Sequence, residues 1–367
     1  MNRTSDAETR FWPALIAELL KCCGQRHADN VDWLRFRRRP FRVASATKNM
    51  LIDWAARFGF FRAPGYCDEV LAIPGLDRTH ELLEDEESRT LFVKLIAYRM
   101  MGEQRVRLPL NTPAYWDLRK TLDQYIESRG TITGVPIAGS LDLCNFQGVR
   151  FHGVGLCVLN TFLLKQYECP RAGVGVRPGD VVIDGGGCWG DTALYFARDA
   201  ARVFSFECIP ENIEILQKNL QLNAELANRS EVIPRALSGR SGERLRFKIN
   251  GPGSTSSQDG SGVEVETESI DHFVESRALQ QVSLIKMDIE GAETEALKGA
   301  EQTIRRFRPQ LAISVYHQDT DLVEIPKWID SLKLDYRFYL DHFTIHREET
   351  VLFAVSRPRQ ESDYPRA

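Results

Sequence analysis

From residue 181 onward, short apolar runs alternate with helical stretches, and this alternation narrows the range of folds more than any other feature of the chain. "DVVID" reads as a strand, "DTALYFARDA" as a helix, "RVFSFE" as a strand and "PENIEILQKNLQLNAEL" as a helix. "SEVIPRAL", "VSLIKMDIE" and "PQLAISVYH" continue as strands, and the helices "AETEALKGAEQTIRRF" and "DLVEIPKWIDSL" follow the last two. The pattern predicts an α/β fold with a parallel, doubly wound sheet covered by helices on both faces. The end departs from it. "DYRFYLDHF" and "EETVLFAVS" are two strands with a short polar connection, which predicts an antiparallel C-terminal hairpin.

Upstream the periodicity changes. Apolar residues recur at helical spacing in "ALIAELLKCC", "KNMLIDWAARFGFF" and "THELLEDEESRTLFVKLIAYRMM". The third stretch is expected to start at Thr79 as its cap, with "EDEE" on a solvated face. "RFRRRPFR", residues 35–42, suits either an anion-gripping patch or a linker that packs its aromatics. From about 131 to 160 glycine-separated β-rich pieces take over. At ~150 residues per domain, 367 residues make about two domains. The expected division is a mainly helical N-terminal region with a small β-rich segment over 1–165, a cofactor-binding domain over 166–357 and a tail over 358–367.

A net charge of -4 gives no bias toward nucleic acid or an anionic membrane. No run approaches the ~18 apolar residues of a membrane span. Eight cysteines without a C-x-x-C offer neither zinc spacing nor a compact disulfide framework. These features predict a soluble protein of a reducing cytoplasm.

"VVIDGGGCWGDTALYFA", residues 181–197, places a glycine turn between the first strand and its helix. Gly185, Gly187 and Gly190 satisfy the G-x-G-x-x-G spacing of a dinucleotide turn. Glu207 ends the next strand, about twenty residues on, where an acid can accept both hydroxyls of a ribose. NAD and S-adenosylmethionine both carry that ribose. The charges discriminate. A pyrophosphate wants bare backbone N–H groups and no nearby anion, yet Asp184 and Asp191 flank this turn. At ~4 Å and an effective dielectric near 20, each would cost a phosphate several kcal/mol. The ammonium and sulfonium of S-adenosylmethionine suit such a turn, although Asp191 would also serve as a helix cap.

With "VFSFECIPENIEILQKNL", "SLIKMDIEGAETEAL", "AISVYHQDTDLVEIPKWI" and the closing "HREETVLFAV", residues from about 167 to 356 resemble the FkbM-type S-adenosylmethionine-dependent methyltransferases. The resemblance implies a class I methyltransferase, a Rossmann-like fold. It also implies roles for single positions. Asp184, Gly186 and Gly190 would line the methionine and ribose end, with Gly185, Gly187 and Asp191 in the same turn. Glu207 would hold the ribose, Cys208 and Ile209 would lie beside the adenine, and Ala236 on the third-strand side. Cys188 and Trp189 depart from the family, whose members usually carry Asn followed by a small or aliphatic residue. Cys188 is expected to be a filler, not a nucleophile. The first ~130 residues lie outside the resemblance.

"KMDIEGAE" puts Asp288 and Glu290 at the end of an apolar strand, pointing to one side by period-two alternation. Lys286 is expected on the other face, its stem against a helix. His317 ends the following strand, and His342 and His346 lie in or beside the hairpin connection. Methyl transfer is an in-line displacement dominated by positioning. A hydroxyl acceptor must also lose a proton, and Asp288 and His317 lead as its takers, with Glu290 and His342 behind them. Acids around His317 should shift its ionisation upward. A divalent metal on Asp288, Glu290 and His317 is a competing, less favoured reading. The leading expectation is O-methylation of a small hydroxylated natural product, sugar or glycolipid. Its rivals are an NAD(P)-dependent oxidoreductase and a non-catalytic protein retaining the cofactor pocket. The N-terminal region would cover the substrate side of the cleft or form a homodimer contact.

Overall fold

The computed structural model describes residues 10–27, 30–32, 66–136, 138–248, 253, 255–256 and 262–356. "RFRRRPFR", "KNMLIDWAARFGFF" and the 358–367 tail lie outside the described residues. The helices that come first are α1 (Phe11–Cys23), α2 (Tyr66–Leu71), α3 (Leu76–Leu82), α4 (Glu86–Met101) and α5 (Pro113–Thr121). The long helix expected from Thr79 is two helices. Thr79 is buried inside α3, and Asp85 caps α4 by accepting the Ser88 N–H at 2.8 Å. Asp85 is one of the "EDEE" acids, and Glu86 and Glu87 follow in the first turn, where the helix dipole favours them. The acidic cluster therefore starts a helix.

Three strands follow, β1 (Ile126–Val135), β2 (Gly139–Phe146) and β3 (Val149–Gly153), forming an antiparallel sheet in that order. The expected strand–helix series then unfolds as β4 (Val181–Gly185), α6 (Asp191–Ala197), β5 (Arg202–Phe206), α7 (Pro210–Gln221) and β6 (Ser230–Ile233). The "SEVIPRAL" strand ends early because Pro234 lacks a ladder N–H. Beyond it, β7 (Ala236–Leu237) joins a second sheet with β8 (Arg244–Lys248), β9 (Thr255–Ser256) and β10 (Val263–Glu268), in the order β7-β10-β8-β9. After α8 (Ile270–Ser276) come β11 (Leu284–Met287), α9 (Glu293–Lys298), α10 (Glu301–Phe307), β12 (Gln310–Ser314), α11 (Asp321–Ser331), β13 (Tyr336–His342) and β14 (Thr350–Ser356).

The main sheet has seven strands in the order β13-β14-β12-β11-β4-β5-β6. β12, β11, β4, β5 and β6 are parallel, and β14 runs antiparallel to β12. The chain lays β5 and β6 on one side of β4 and later β11 on the other, so the topological switch point falls between β4 and β11. Gly185 and Met287 end these two strands side by side. Among the described residues no helix is long and apolar enough to cross a membrane.

The chain divides into two compact units. Of the described residues, one unit comprises those up to Tyr115 together with Leu340–Thr350, and the other those between Trp116 and Tyr339 with those from Val351 to Ser356. This division leaves the three-stranded sheet in the same unit as β4, β5, β6, β11 and β12. Asn219 of α7 and Asn223, two residues past its end, explain why. The two asparagines pair with the free edge of β3 as another strand would. Their Oδ1 atoms accept the N–H groups of His152 at 2.7 Å and Arg150 at 3.0 Å. Their Nδ2 groups donate to the carbonyls of the same two residues, at 2.9 and 2.6 Å.

Candidate active site

The glycine turn after β4 is built inward. Asp184 is fully buried, and its Oδ2 accepts from Thr192 and Ser205, both at 2.9 Å. Its Oδ1 lies 3.0 Å from the Lys286 ammonium. Lys286 is 1% exposed and donates to the carbonyls of Gly185 and Gly186 at 2.9 and 2.8 Å, its charge 5.1 Å from the Tyr167 ring centroid. Burial disfavours the ammonium, but Asp184 and Asp288 outweigh it and raise its pKa. Lys286 therefore faces the turn, not the opposite side of the sheet, because a buried cation must find anions and carbonyls.

Asp184 is correspondingly a support beneath the turn, not a lining residue of the cleft. Asp191 is buried too, accepts from Thr161 Oγ1 at 2.5 Å, and has its pKa raised by burial. The glycines divide by role. A Cβ on Gly187 would lie 2.1 Å from Ser205 Oγ, and one on Gly190 would lie 2.9 Å from Leu216, so both are there for packing. Gly186, at φ +79°, is the glycine of this turn that lines the cleft. Gly185 ends β4 against Leu237 and Lys286.

The turn's N–H groups are also spent internally. Those of Gly186 and Gly187 donate to Phe206 O, both at 2.9 Å, and that of Gly190 to Gly187 O at 2.7 Å. The Cys188 N–H donates to Glu207 Oε2 at 2.8 Å.

Beyond the strand ends lies a cleft that opens to solvent. Gly186, Glu207, Cys208, Ile209, Ala236, Asp288 and Glu290, all singled out in the sequence, line it. Glu207 Oε1 accepts the N–H groups of Cys208 and Ile209, each at 2.8 Å. Burial raises the Glu207 pKa, with these donors and Asn212 opposing the rise. Ile209, Ala236 and Phe247 pack in one apolar cluster with Val265 on the same side of the cleft. Phe247 comes from β8, in a segment for which no secondary structure was expected; the alternation in "RLRFK" was its only signal. Burial pushes the Cys188 thiol far above its ordinary pKa, consistent with a filler.

An acid–imidazole cluster closes the other end. Asp288 receives the hydroxyls of Tyr167 at 2.7 Å and Tyr316 at 3.1 Å. His317 Nε2 lies 3.4 Å from Asp288 and 3.8 Å from Glu290, and its Nδ1 lies 2.9 Å from Glu293. Burial works against the imidazolium, but Glu293 and the charges of Asp288 and Glu290 win, raising its pKa to about 9. Burial alone would raise Asp288, yet His317, Lys286 and the two tyrosines hold it below the usual carboxylate range. Glu290 goes the other way. Burial, Asp288, Glu293 and Glu207 lift it to about 7 against the pull of His317. Its φ of +57° is a left-handed conformation uncommon outside glycine, of the kind stored at functional sites.

Glu293, Tyr167 and Tyr316 escaped the sequence reading. Glu293 was legible as the last acid of "KMDIEGAE"; the tyrosines carried no spacing signal. Among the described residues, Asp288, Glu293 and His317 bring ligand-type atoms within 4.8 Å of one another, so Glu293 stands where Glu290 was expected in the metal trio. His342 does not join the cluster. It belongs to the unit containing Leu340–Thr350, where Nδ1 meets Thr350 Oγ1 at 2.8 Å and burial lowers its pKa to about 3. His346 is equally buried and accepts the Asp32 N–H at 3.0 Å, so neither is a surface histidine.

Residues 173–338 match the family model of the methyltransferase FkbM domain. No curated protein matches the chain. The structure of the methyltransferase FkbM from Methylobacillus flagellatus KT is similar, with 21% identity over 79% of this chain and a TM-score of 0.52. The chain spans 60% of that protein's length. The O-methyltransferase from Bacillus cereus in complex with SAH aligns over 55% of this chain and 80% of its own, with 12% identity and a TM-score of 0.34. The fold is that of the class I methyltransferases.

Proposed function

We propose that this chain, which carries a methyltransferase FkbM domain over residues 173–338, uses S-adenosylmethionine to methylate a hydroxyl of a small natural product, sugar or glycolipid. The observation that carries the reading is one cleft with Glu207 beside an apolar wall and the Asp288–Glu290 pair facing the same space. The chemistry of these groups fits the cofactor. Glu207 can accept from the ribose diol, and Ile209, Ala236 and Phe247 offer the adenine an apolar surface. The acids suit a ligand bearing an ammonium and a sulfonium. A pyrophosphate fits poorly, because the N–H groups of Gly186, Gly187, Cys188 and Gly190 already have partners inside the protein.

When bound, S-adenosylmethionine supplies an electrophilic methyl group. The protein must place the acceptor in line with it and take its proton. Glu290 is the group poised for that proton: it lines the cleft, and its pKa of about 7 matches a neutral medium. His317, expected to be the base, keeps its own proton until about pH 9 and turns both ring nitrogens toward carboxylates. It balances the charge of Asp288 and Glu293. Asp288 stays ionised and is a weak base.

Thermal shift separates this reading from its rivals. At 100 times Kd a ligand that binds only the folded state adds about 2.7 kcal/mol of stability. S-adenosylhomocysteine should raise Tm and NAD should leave it unchanged; the reverse result would restore the oxidoreductase. Turnover should persist in EDTA, since methyl transfer needs positioning and a proton acceptor, both of which the side chains of the cleft supply. Loss of activity in EDTA, restored by Mn or Mg, would establish the metal reading instead.

A further inference from the structure

Trp189 is the one large side chain in the glycine turn, and it lies outside the lining of the cleft. We infer that Trp189 is a positioning residue, through which the three-stranded sheet β1–β3 sets the cofactor-facing groups Asn212 and Glu207. The inference rests on the assignment of the cleft to S-adenosylmethionine.

Its indole is 2% exposed and sits in a cluster with Val135 and Leu141 of the β1–β2 hairpin and Ile215 of α7. The partly buried Cys188, Cys157 and Ala138 pack around this cluster. The indole N–H donates to Asn212 Oδ1 at 3.2 Å. Asn212 lines the cleft with Glu207, is 3% exposed, and its amide opposes the rise that burial imposes on the Glu207 carboxyl's pKa. The backbone of Trp189 is tied from the same direction: its carbonyl accepts from Asn219 at 2.8 Å, the asparagine that also pairs with His152 on β3.

A continuous line of contacts therefore runs from the hairpin through the indole to the amide and then to the carboxylate. The indole N–H fixes which way the Asn212 amide faces. With its oxygen held by Trp189, Asn212 must present its NH₂ to the carboxylate. A phenylalanine at this position would preserve the packing and release that orientation. Cys188, just before it, holds φ +44° while giving its N–H to Glu207, so the same turn anchors the carboxylate twice.

The test is calorimetric titration of the full chain with S-adenosylhomocysteine, for wild type, Trp189→Phe, Asn212→Ala and the double variant. Trp189→Phe should weaken binding about fivefold, the worth of one neutral buried hydrogen bond. In the Asn212→Ala background the same change should have almost no further effect, because the group it orients is gone. In steady-state assays Trp189→Phe should raise KM for S-adenosylmethionine by a similar factor and move kcat much less. Leu141→Ala, which thins the hairpin side of the cluster, should weaken binding in the same direction. Wild-type affinity in Trp189→Phe, or an undiminished penalty in the Asn212→Ala background, would overturn the inference and leave Trp189 as packing alone. A wild type that fails to bind S-adenosylhomocysteine at all would overturn the cofactor assignment beneath it.

Discussion

Glu290→Gln should lower kcat by about 10²- to 10⁴-fold, the usual loss when a general base is removed, and leave S-adenosylhomocysteine affinity within about threefold. The substitution keeps the shape of the side chain and removes its ability to take a proton. Wild-type activity should rise with pH through a midpoint of about 7, since Glu290 must be deprotonated to act. The residual activity of the variant should lack that step. If His317 were the base, the rise would centre near pH 9 and survive in Glu290→Gln.

The same carboxyl leaves a mark on stability. In the unfolded chain it ionises near its ordinary value, whereas the folded state retains the proton until about 7. Between those values the folded state binds more protons, so stability contributed at this position falls as pH rises. Glu290→Gln removes the term. Its Tm should equal the wild type's near pH 4 and exceed it above pH 7. A variant less stable than wild type at pH 8 would show that Glu290 is held charged by favourable contacts, and its assignment as the base would fail.

Much of this arrangement could be read from the chain because strand ends advertise themselves. The β5 and β11 runs are each followed directly by an acid, and the doubly wound topology carries those strand ends to one edge, so the positions of Glu207 and Asp288 follow from the pattern. Alternation also put Asp288 and Glu290 on one side. Applied consistently, it puts Lys286 on that side as well, and the expectation of a stem against a helix neglected this. What periodicity could not supply was the partner. That Asp184 serves a buried ammonium with Tyr167 over it depends on packing between segments over a hundred residues apart in sequence, and Tyr316 reaches Asp288 from the end of the neighbouring strand. The acids of "EDEE" posed the opposite problem: a local signal existed, since Asp85 precedes an acidic first turn, but a longer apolar period ran across it. The second sheet was missed because β8 and β10 alternate polar and apolar residues over only five and six positions.

Glu207→Gln should weaken S-adenosylhomocysteine binding by about 10- to 150-fold, the 1.5–3 kcal/mol of a hydrogen bond to a charged acceptor. Both carboxylate oxygens already accept backbone N–H groups, from Cys188 on one side and Cys208 and Ile209 on the other. An amide cannot satisfy both, because its NH₂ must meet either a backbone donor or the ribose. The loss could then come from the turn or from the ligand, and a second ligand distinguishes them. An S-adenosylhomocysteine analogue without ribose hydroxyls should bind wild type weakly and lose almost nothing further in Glu207→Gln. If the analogue loses as much as the parent compound, the carboxylate acts by shaping the turn and the diol is held elsewhere. Unchanged affinity for the parent compound would remove Glu207 from cofactor recognition altogether, and with it the observation on which the cofactor assignment most depends.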